Sequence, residues 1–253
     1  MPTPPMSKYT EQVATEGAKL IFQDDFSNGV TWTGLTLSGT PNIPPTGIAA
    51  DTAHVLVGAK SMKLTLDTGA AGAQYGLVKF LPFYGKKIYY EVCLAINKSA
   101  RDVLVADGYL YFPNIAENKA WANRREGQVT CKNLQQWFLT KSDSSLLDIS
   151  SLITNKYLGY TSEDARGSVW NRIGLGVDID NIKYDFLLVN DEIIDLSAYA
   201  LKNSSLNYDA TNLHCNPSVY IGANKSVAIW YDAYRMFQYT DREALFALLR
   251  FAW

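Results

Sequence analysis

Carboxylates are the residues of this chain whose spacing comes nearest to a reaction. "WNRIGLGVDIDNIKYDFLLVNDEIIDLS" carries Asp178, Asp180 and Asp185 around one turn and ends on Asp191, Glu192 and Asp195. Cleaving a glycosidic bond takes two carboxyl groups about 5–9 Å apart, facing the same bond. Glu192 and Asp195 stand three apart, so on a regular strand they point to opposite faces. Asp191 and Asp195 share a parity, but Asp195 reads as a turn or cap residue before Leu196-Ser197. The spacing needed for catalysis is therefore missing. "DIDNIKYDFLLV" opens like a calcium loop at Asp178 and Asp180, yet Lys183 and Val189 occupy the places where an EF-hand needs Gly and Glu. Asp and Asn bond their own backbone in tight turns, so Asp178, Asp180 and Asp185 read as architecture.

Other chemistry is thinner. His54, in "TAHVLVG", and His214, in "NLHCNP", are isolated, and a lone imidazole makes no acid–base site. Cys93, Cys131 and Cys215 are odd in number and widely spaced, which fits buried or free thiols rather than a disulfide framework or a zinc site. No Gly-x-Ser-x-Gly, phosphate-binding glycine loop or His-Glu-x-x-His occurs. Aromatic rings are the remaining resource. Tyr109 and Tyr111 share a parity in "DGYLYF", Tyr89 shares one with Glu91, and Trp121 follows nearby. Rings on one sheet face can stack on a sugar, be buried at a protein interface, or pack under a loop.

Composition bounds what holds these residues. A chain of 253 residues has room for one or two domains, and 47% hydrophobic residues fill a sizeable core. Charged residues reach only 19% and there are 16 tyrosines, a balance that favours β-structure and contact surfaces. A net charge of -2 gives no electrostatic capture of nucleic acid. No apolar run approaches the ~18–20 residues that span a bilayer. "MPTPPMSKYTEQ" lacks the basic and apolar regions of a secretory signal, so synthesis in the cytoplasm is expected.

Along the chain, residues 1–19 read as an N-terminal arm, 20–239 as a β-rich body and 240–253 as a C-terminal helix. Prolines hold the start of the arm extended, and Ser7 is expected to cap a short helix running through Ala14, with Gly17 past its end. "KSMKLTLDTG" and "KKIYYEVCLAIN" alternate with period two, the mark of half-buried strands. In the second, Ile88, Tyr90, Val92, Leu94 and Ile96 take one face and Tyr89, Glu91, Cys93 and Ala95 the other. "NIAENKAWANRREG" is expected to be a helix, capped by Asn114 with Glu117 three residues on and Gly127 beyond its end. The stretch Trp170–Ser197 reads as a β-meander, and "SVAIWYDAYRMFQY" as one long strand. "TDREALFALLRFAW" turns helical, with Thr240 and Glu243 as a capping box.

These elements imply two packed antiparallel sheets. "FQDDFS" followed by Trp32, "GAKSMKLTLDTG", the W…D…Y…VN…DLS meander and "AIWYDAYRMF" together resemble the concanavalin A-like lectin/glucanase sandwiches over roughly residues 20–238. The resemblance implies an all-β jelly-roll of two curved sheets. Members include lectins, glycan hydrolases and lyases, and non-catalytic modules of adhesins and virus particles, so fold alone leaves function open. It leaves room for a structural calcium held by Asp24, Asp25 and Asp232, because entry and closing strands commonly pair; otherwise no cofactor is expected. It also implies carboxylate pairs in the hydrolases and a His, Tyr, Arg and Gln cluster in the lyases, and neither pattern is present here.

The leading expectation is a non-catalytic structural or binding protein, a decoration or assembly component of a virion-like particle or surface, as a homo-oligomer or on a host particle. Phe246, Phe251 and Trp253 are its expected assembly contacts, because an apolar arc as wide as that of the last helix needs cover on more than one side. The alternatives are a lectin-like glycan-binding module using Tyr89, Tyr109, Tyr111 or Trp121, and a glycan-active hydrolase or lyase.

Overall fold

The computed structural model describes residues 14–15, 17–42, 47–82, 87–118, 124–161, 169–204 and 212–250. The strands are β1 (Ala14–Thr15), β2 (Ala18–Asp24), β3 (Thr33–Ser38), β4 (Pro41–Asn42), β5 (Ile48–Asp51), β6 (Ser61–Thr68), β7 (Ala73–Pro82), β8 (Lys87–Ile96), β9 (Gly108–Asn118), β10 (Arg124–Lys132), β11 (Gln136–Thr140), β12 (Leu146–Asp148), β13 (Trp170–Asp178), β14 (Lys183–Val189), β15 (Glu192–Asp195), β16 (Lys202–Ser204), β17 (Asn212–Ile221) and β18 (Ser226–Tyr239). The helices are α1 (Lys98–Asp107) and α2 (Arg242–Arg250).

The strands pair into two antiparallel sheets that form a jelly-roll sandwich. The first runs β1-β2-β18-β8-β13-β14-β15, with β6 also on β18 and β4 and β5 on β6. The second runs β12-β11-β10-β9-β17-β7-β3, with β16 on β10. Period-two alternation explains the filling between them. Ile88, Tyr90, Val92, Leu94 and Ile96 of β8 join Ile173, Leu175 and Val177 of β13 in one core with Leu110, Phe112, Trp137 and Val219 of the facing sheet. Tyr184 ties the layers: its hydroxyl accepts from Gln128 N at 3.0 Å and donates to the Thr140 carbonyl at 2.7 Å.

Strand β8 is buried along nearly its whole length, on both faces. The reason is a second core outside the first sheet. Helix α2 lies there, with Leu245 and Leu249 buried against Ala18, Leu20, Tyr89, Phe186, Leu188, Phe237 and Tyr239. Gly174 and Gly176 permit this packing, because a Cβ at either would run into Tyr89 or into Phe186 and Tyr239. The sheet also takes in the end of the expected arm. Ala14 and Thr15 pair with Lys19 and Ala18, and the Gly17 carbonyl accepts from Thr240 N and Asp241 N at the start of α2.

Several expectations need correction. Ala14 is in a strand, not at the end of a helix; residues 1–13 lie outside those described. The helix expected from Asn114 is absent: Asn114–Asn118 continue β9, paired with β17 and β10, and Gly127 pairs with Ile115. Two flanking strands offer every backbone group there a partner, which outweighs a local capping signal. Helix α1 was not expected; Asn97 caps it by accepting from Ala100 N at 2.8 Å. Asp241, rather than Thr240, caps α2, accepting from Glu243 N at 2.9 Å. The apolar arc of α2 is also covered from one side. Leu245 and Leu249 are buried against the first sheet, and Ala244, Phe246 and Leu248 pack partly buried on the same cluster.

Helix α2 is thus core. Leu245→Ala should lower unfolding free energy by about 2–5 kcal/mol in a denaturant titration. Removing residues 241–253 should give an aggregating or unfolded chain, because Tyr89, Phe186 and Phe237 lose their cover; a well-folded truncated sandwich would contradict this.

Candidate functional site

The outer face of the second sheet carries a regular aromatic and polar array. Cross-strand register builds it in two rows. In one, Lys132 of β10 pairs with Tyr109 of β9, Tyr109 with Tyr220 of β17, and Tyr220 with Gln74 of β7. In the other, Phe138 of β11 pairs with Thr130, Thr130 with Tyr111, and Tyr111 with Ser218. Directly opposed residues on one face are about 4.5–5.5 Å apart, so the rows form one surface. The rings of Tyr109 and Tyr220 stack at 5.3 Å and 17°, and Tyr111 meets Tyr109 edge-on at 6.5 Å. The Lys132 ammonium lies 4.6 Å from the Tyr109 ring centre and 5.0 Å from that of Phe138. Gln74 Nε2 donates to Ser218 Oγ at 2.9 Å.

The three tyrosines, Lys132, Gln74 and Phe138 are half-buried. Burial pushes the Tyr111 phenol up to about 12, with Tyr109 and Tyr220 adding to the rise, so it stays a hydrogen-bonding hydroxyl at neutral pH. Thr130 Oγ1 is buried between Tyr111 and Phe138 without a hydrogen-bond partner. The array therefore offers apolar ring surface, neutral hydroxyl and amide groups, and one cation. Sequence parity found Tyr109 and Tyr111. It missed Tyr220, Lys132, Phe138, Gln74 and Ser218, because they come from four other strands whose pairing no local pattern records.

The other expected contact residues fall elsewhere. Tyr89 is fully buried under α2 and donates to Glu91 Oε2 at 2.6 Å, so it offers no contact surface. Burial of this outer face by α2 is the reason for that correction. Trp121, Phe251 and Trp253 lie outside the described residues. Phe246 is half-buried and packs edge-on against Phe186 at 5.0 Å, within its own chain.

The carboxylates hold structure. Asp178 accepts from Asn181 N at 3.0 Å, closing the turn expected there. Asp185 instead anchors α2, accepting from Tyr239 Oη at 2.5 Å and from Arg242 Nε at 2.9 Å. Burial opposes its ionisation, but these hydrogen bonds and the Arg242 charge hold its carboxyl below the usual range. Asp195 caps Ser197 N at 3.1 Å, and Glu192 caps Thr154 N and Asn155 N at 2.9 Å each.

Asp24, Asp25 and Asp232 do not converge as a calcium cage. Asp24 accepts from Phe26 N and Trp32 Nε1, both at 2.8 Å, and Asp25 from Ser27 N and Ser27 Oγ. Fully buried Asp232 accepts from Leu56 N at 2.8 Å, Val57 N at 3.1 Å and Ala233 N at 2.6 Å. Among the described residues no three His, Cys, Asp or Glu side chains are placed to hold a metal ion. His54 stacks on Trp230 at 4.1 Å. A cleft of about 490 Å³ beyond the β10–β11 turn is lined by Arg101, Leu134, Tyr157 and Tyr160, with the Arg101 guanidinium 5.1 Å from the Tyr160 ring centre. Among the described residues no helix is long and apolar enough to cross a membrane.

No protein-family model matches the sequence, and no curated protein matches it. Solved structures do match. Cellulose induced protein Cip1 superposes with a TM-score of 0.50 at 11% identity, covering 85% of this chain and 96% of that one. A carbohydrate esterase of the Shiga toxin-encoding bacteriophage phi24B gives 0.47 at 11% identity, over 88% and 100% of the two chains. The carbohydrate-binding module TmCBM61, solved with β-1,4-galactotriose, gives 0.39 at 7% identity, over 85% and 94%. At such identities the likeness is one of fold. The chain has a jelly-roll sandwich architecture, and its likeness to Cip1 is one of fold alone.

Burial pushes the Asp232 carboxyl up to about 6, against the lowering effect of the Leu56, Val57 and Ala233 N–H groups, and Asp25 adds repulsion. A raised carboxyl favours the protonated fold, so its contribution is full below about pH 4 and is lost as pH rises through about 6. Between pH 4 and pH 7 the stability of the wild type should therefore fall relative to Asp232→Asn, by up to about 3 kcal/mol. Denaturant midpoints of both proteins across that range measure it; a pH-independent difference would refute it.

Proposed function

We propose that this protein is a glycan-binding sandwich module that works by contact rather than catalysis, and that the outer face of its second sheet is the binding surface. The observation that carries the reading is the two-row array of Tyr109, Tyr220 and Tyr111 with Lys132, Gln74 and Ser218. Sugars expose apolar C–H faces ringed by hydroxyls. A partly exposed aromatic surface takes up the first, and fixed amide and hydroxyl groups take up the second. Helix α2 packs on the opposite sheet and leaves this face uncovered by it.

The non-catalytic part of the proposal draws on the same array. The described side chains that register places directly beside the three tyrosines are Lys132, Gln74, Thr130 and Ser218, none of them a carboxylate. Glu192 and Asp195, the nearest to a catalytic pair in the sequence, are each engaged in capping a loop backbone.

A soluble-polysaccharide panel run by affinity electrophoresis, followed by calorimetry on any hit, tests it. Tyr109→Ala and Tyr220→Ala should each weaken binding by about 1–2 kcal/mol, roughly five- to thirtyfold, with the fold unchanged by circular dichroism. No binding across the panel, or binding indifferent to both changes, would refute the surface. New reducing ends or unsaturated products on incubation would make the protein an enzyme instead.

A further inference from the structure

The array contains one charge, and its setting is specific. Lys132 is held between the rings of Tyr109 and Phe138, 4.6 and 5.0 Å from their centres, so cation–π attraction fixes its ammonium on the face instead of leaving it to sweep through solvent. Lys87, Lys141 and Lys202 each sit within 4.0 Å of a carboxylate, Asp178, Asp143 and Glu126 respectively. Lys132 has no such ion pair among the described residues. Aromatic rings orient a cation without neutralising it, and the three N–H donors of an ammonium still seek acceptors. A positive charge placed among tyrosines and left unneutralised is complementary to an anion carried on the sugar itself.

We propose that this face selects acidic glycans, in which a sugar ring lies on the Tyr109–Tyr220 stack and its carboxylate meets the Lys132 ammonium. The proposal rests on the glycan-binding reading and adds the class of ligand. A neutral hydroxyl also accepts a hydrogen bond from Lys132, but a carboxylate adds the attraction between opposite charges. The neighbouring Gln74 and Ser218, joined at 2.9 Å, add neutral contacts that do not distinguish acid from neutral sugar. Selectivity therefore concentrates on a single side chain.

Polygalacturonate and its methyl ester share a backbone and differ in charge, which isolates the effect; a neutral galactan and a neutral glucan complete the set. The wild type should bind the acid at least about tenfold more tightly than the ester at low salt, the scale of a hydrogen bond to a charged group. That advantage should shrink in 0.5 M NaCl. Lys132→Met keeps the apolar stem against the two rings and should bring the acid down to the affinity of the ester, with ester and neutral glycans losing less than the acid does; Lys132→Arg should restore the preference. Equal binding of acid and ester, or an acid preference that survives Lys132→Met, overturns the proposal. If neutral glycans then still bind and still depend on Tyr109 and Tyr220, the surface stands without its acidic selectivity. If no member of the set or of the wider panel binds, the surface itself falls, and this proposal with it.

Discussion

Strand β18 is the constraint on which the ten-stranded sheet depends. It pairs with β8 from Ile229 to Tyr239 on one edge, while the other edge is shared by β6 over Ser226–Tyr231 and β2 over Tyr234–Tyr239. Its register with β8 is broken where β6 gives way to β2. The break falls between Asp232 and Arg235, with Ala233 at a φ of 50°. Such a bulge leaves local backbone unpaired, and side chains must complete it. Asp232 does so by binding its own neighbour's N–H and by drawing in the loop at Leu56 and Val57. Close by, Glu91 is fully buried, with Arg172 at 2.7 Å and Arg235 as a second ion-pair partner. Losing one member of such a group strands a buried charge, so the residues around the bulge act as a unit.

That unit determines how the two outer faces differ. The outer face of the first sheet is closed over, by α2 at one end and by the loop held on Asp232 at the other. Arg242 reaches Asp185 and Asp195 from the helix, fastening the cover by charge as well as by Leu245 and Leu249. The second sheet is finished differently. Its outer residues are tyrosines, amides, hydroxyls and a lysine that satisfy one another only in part. The jelly-roll therefore has one outer face closed over and one that is half-buried and aromatic.

The acidic residues show how the same side chains read differently in one dimension and in three. Asp178 and Asp195 each bind a backbone N–H two or three residues on, the use that Asp finds at turns, while Glu192 holds the distant loop at Thr154 and Asn155. Asp185, on the same meander, has a different role, because its strand brings it under α2 from 57 residues away in sequence. Asp24, Asp25 and Asp232, expected as one group, serve different partners: Asp24 holds Phe26 and Trp32, Asp25 holds Ser27, and Asp232 holds the loop at Leu56.

The sequence by itself determined the sandwich, the meander from Trp170, the strands β6, β8 and β18 and the terminal helix, because period-two and period-3.6 burial are local signals written in consecutive residues. It also marked Tyr109 and Tyr111 as rings on one face. Tertiary structure alone decided which of two apolar faces would be covered, and so sent Tyr89 into a core and left Tyr109 at the surface. It alone turned Asn114–Asn118 from a capped helix into a strand, since two flanking strands outbid a local cap. It alone set Lys132 and Tyr220 beside Tyr109 and Gln74 beside Tyr220, because cross-strand register joins distant parts of the chain and no spacing along it encodes which strands will be neighbours.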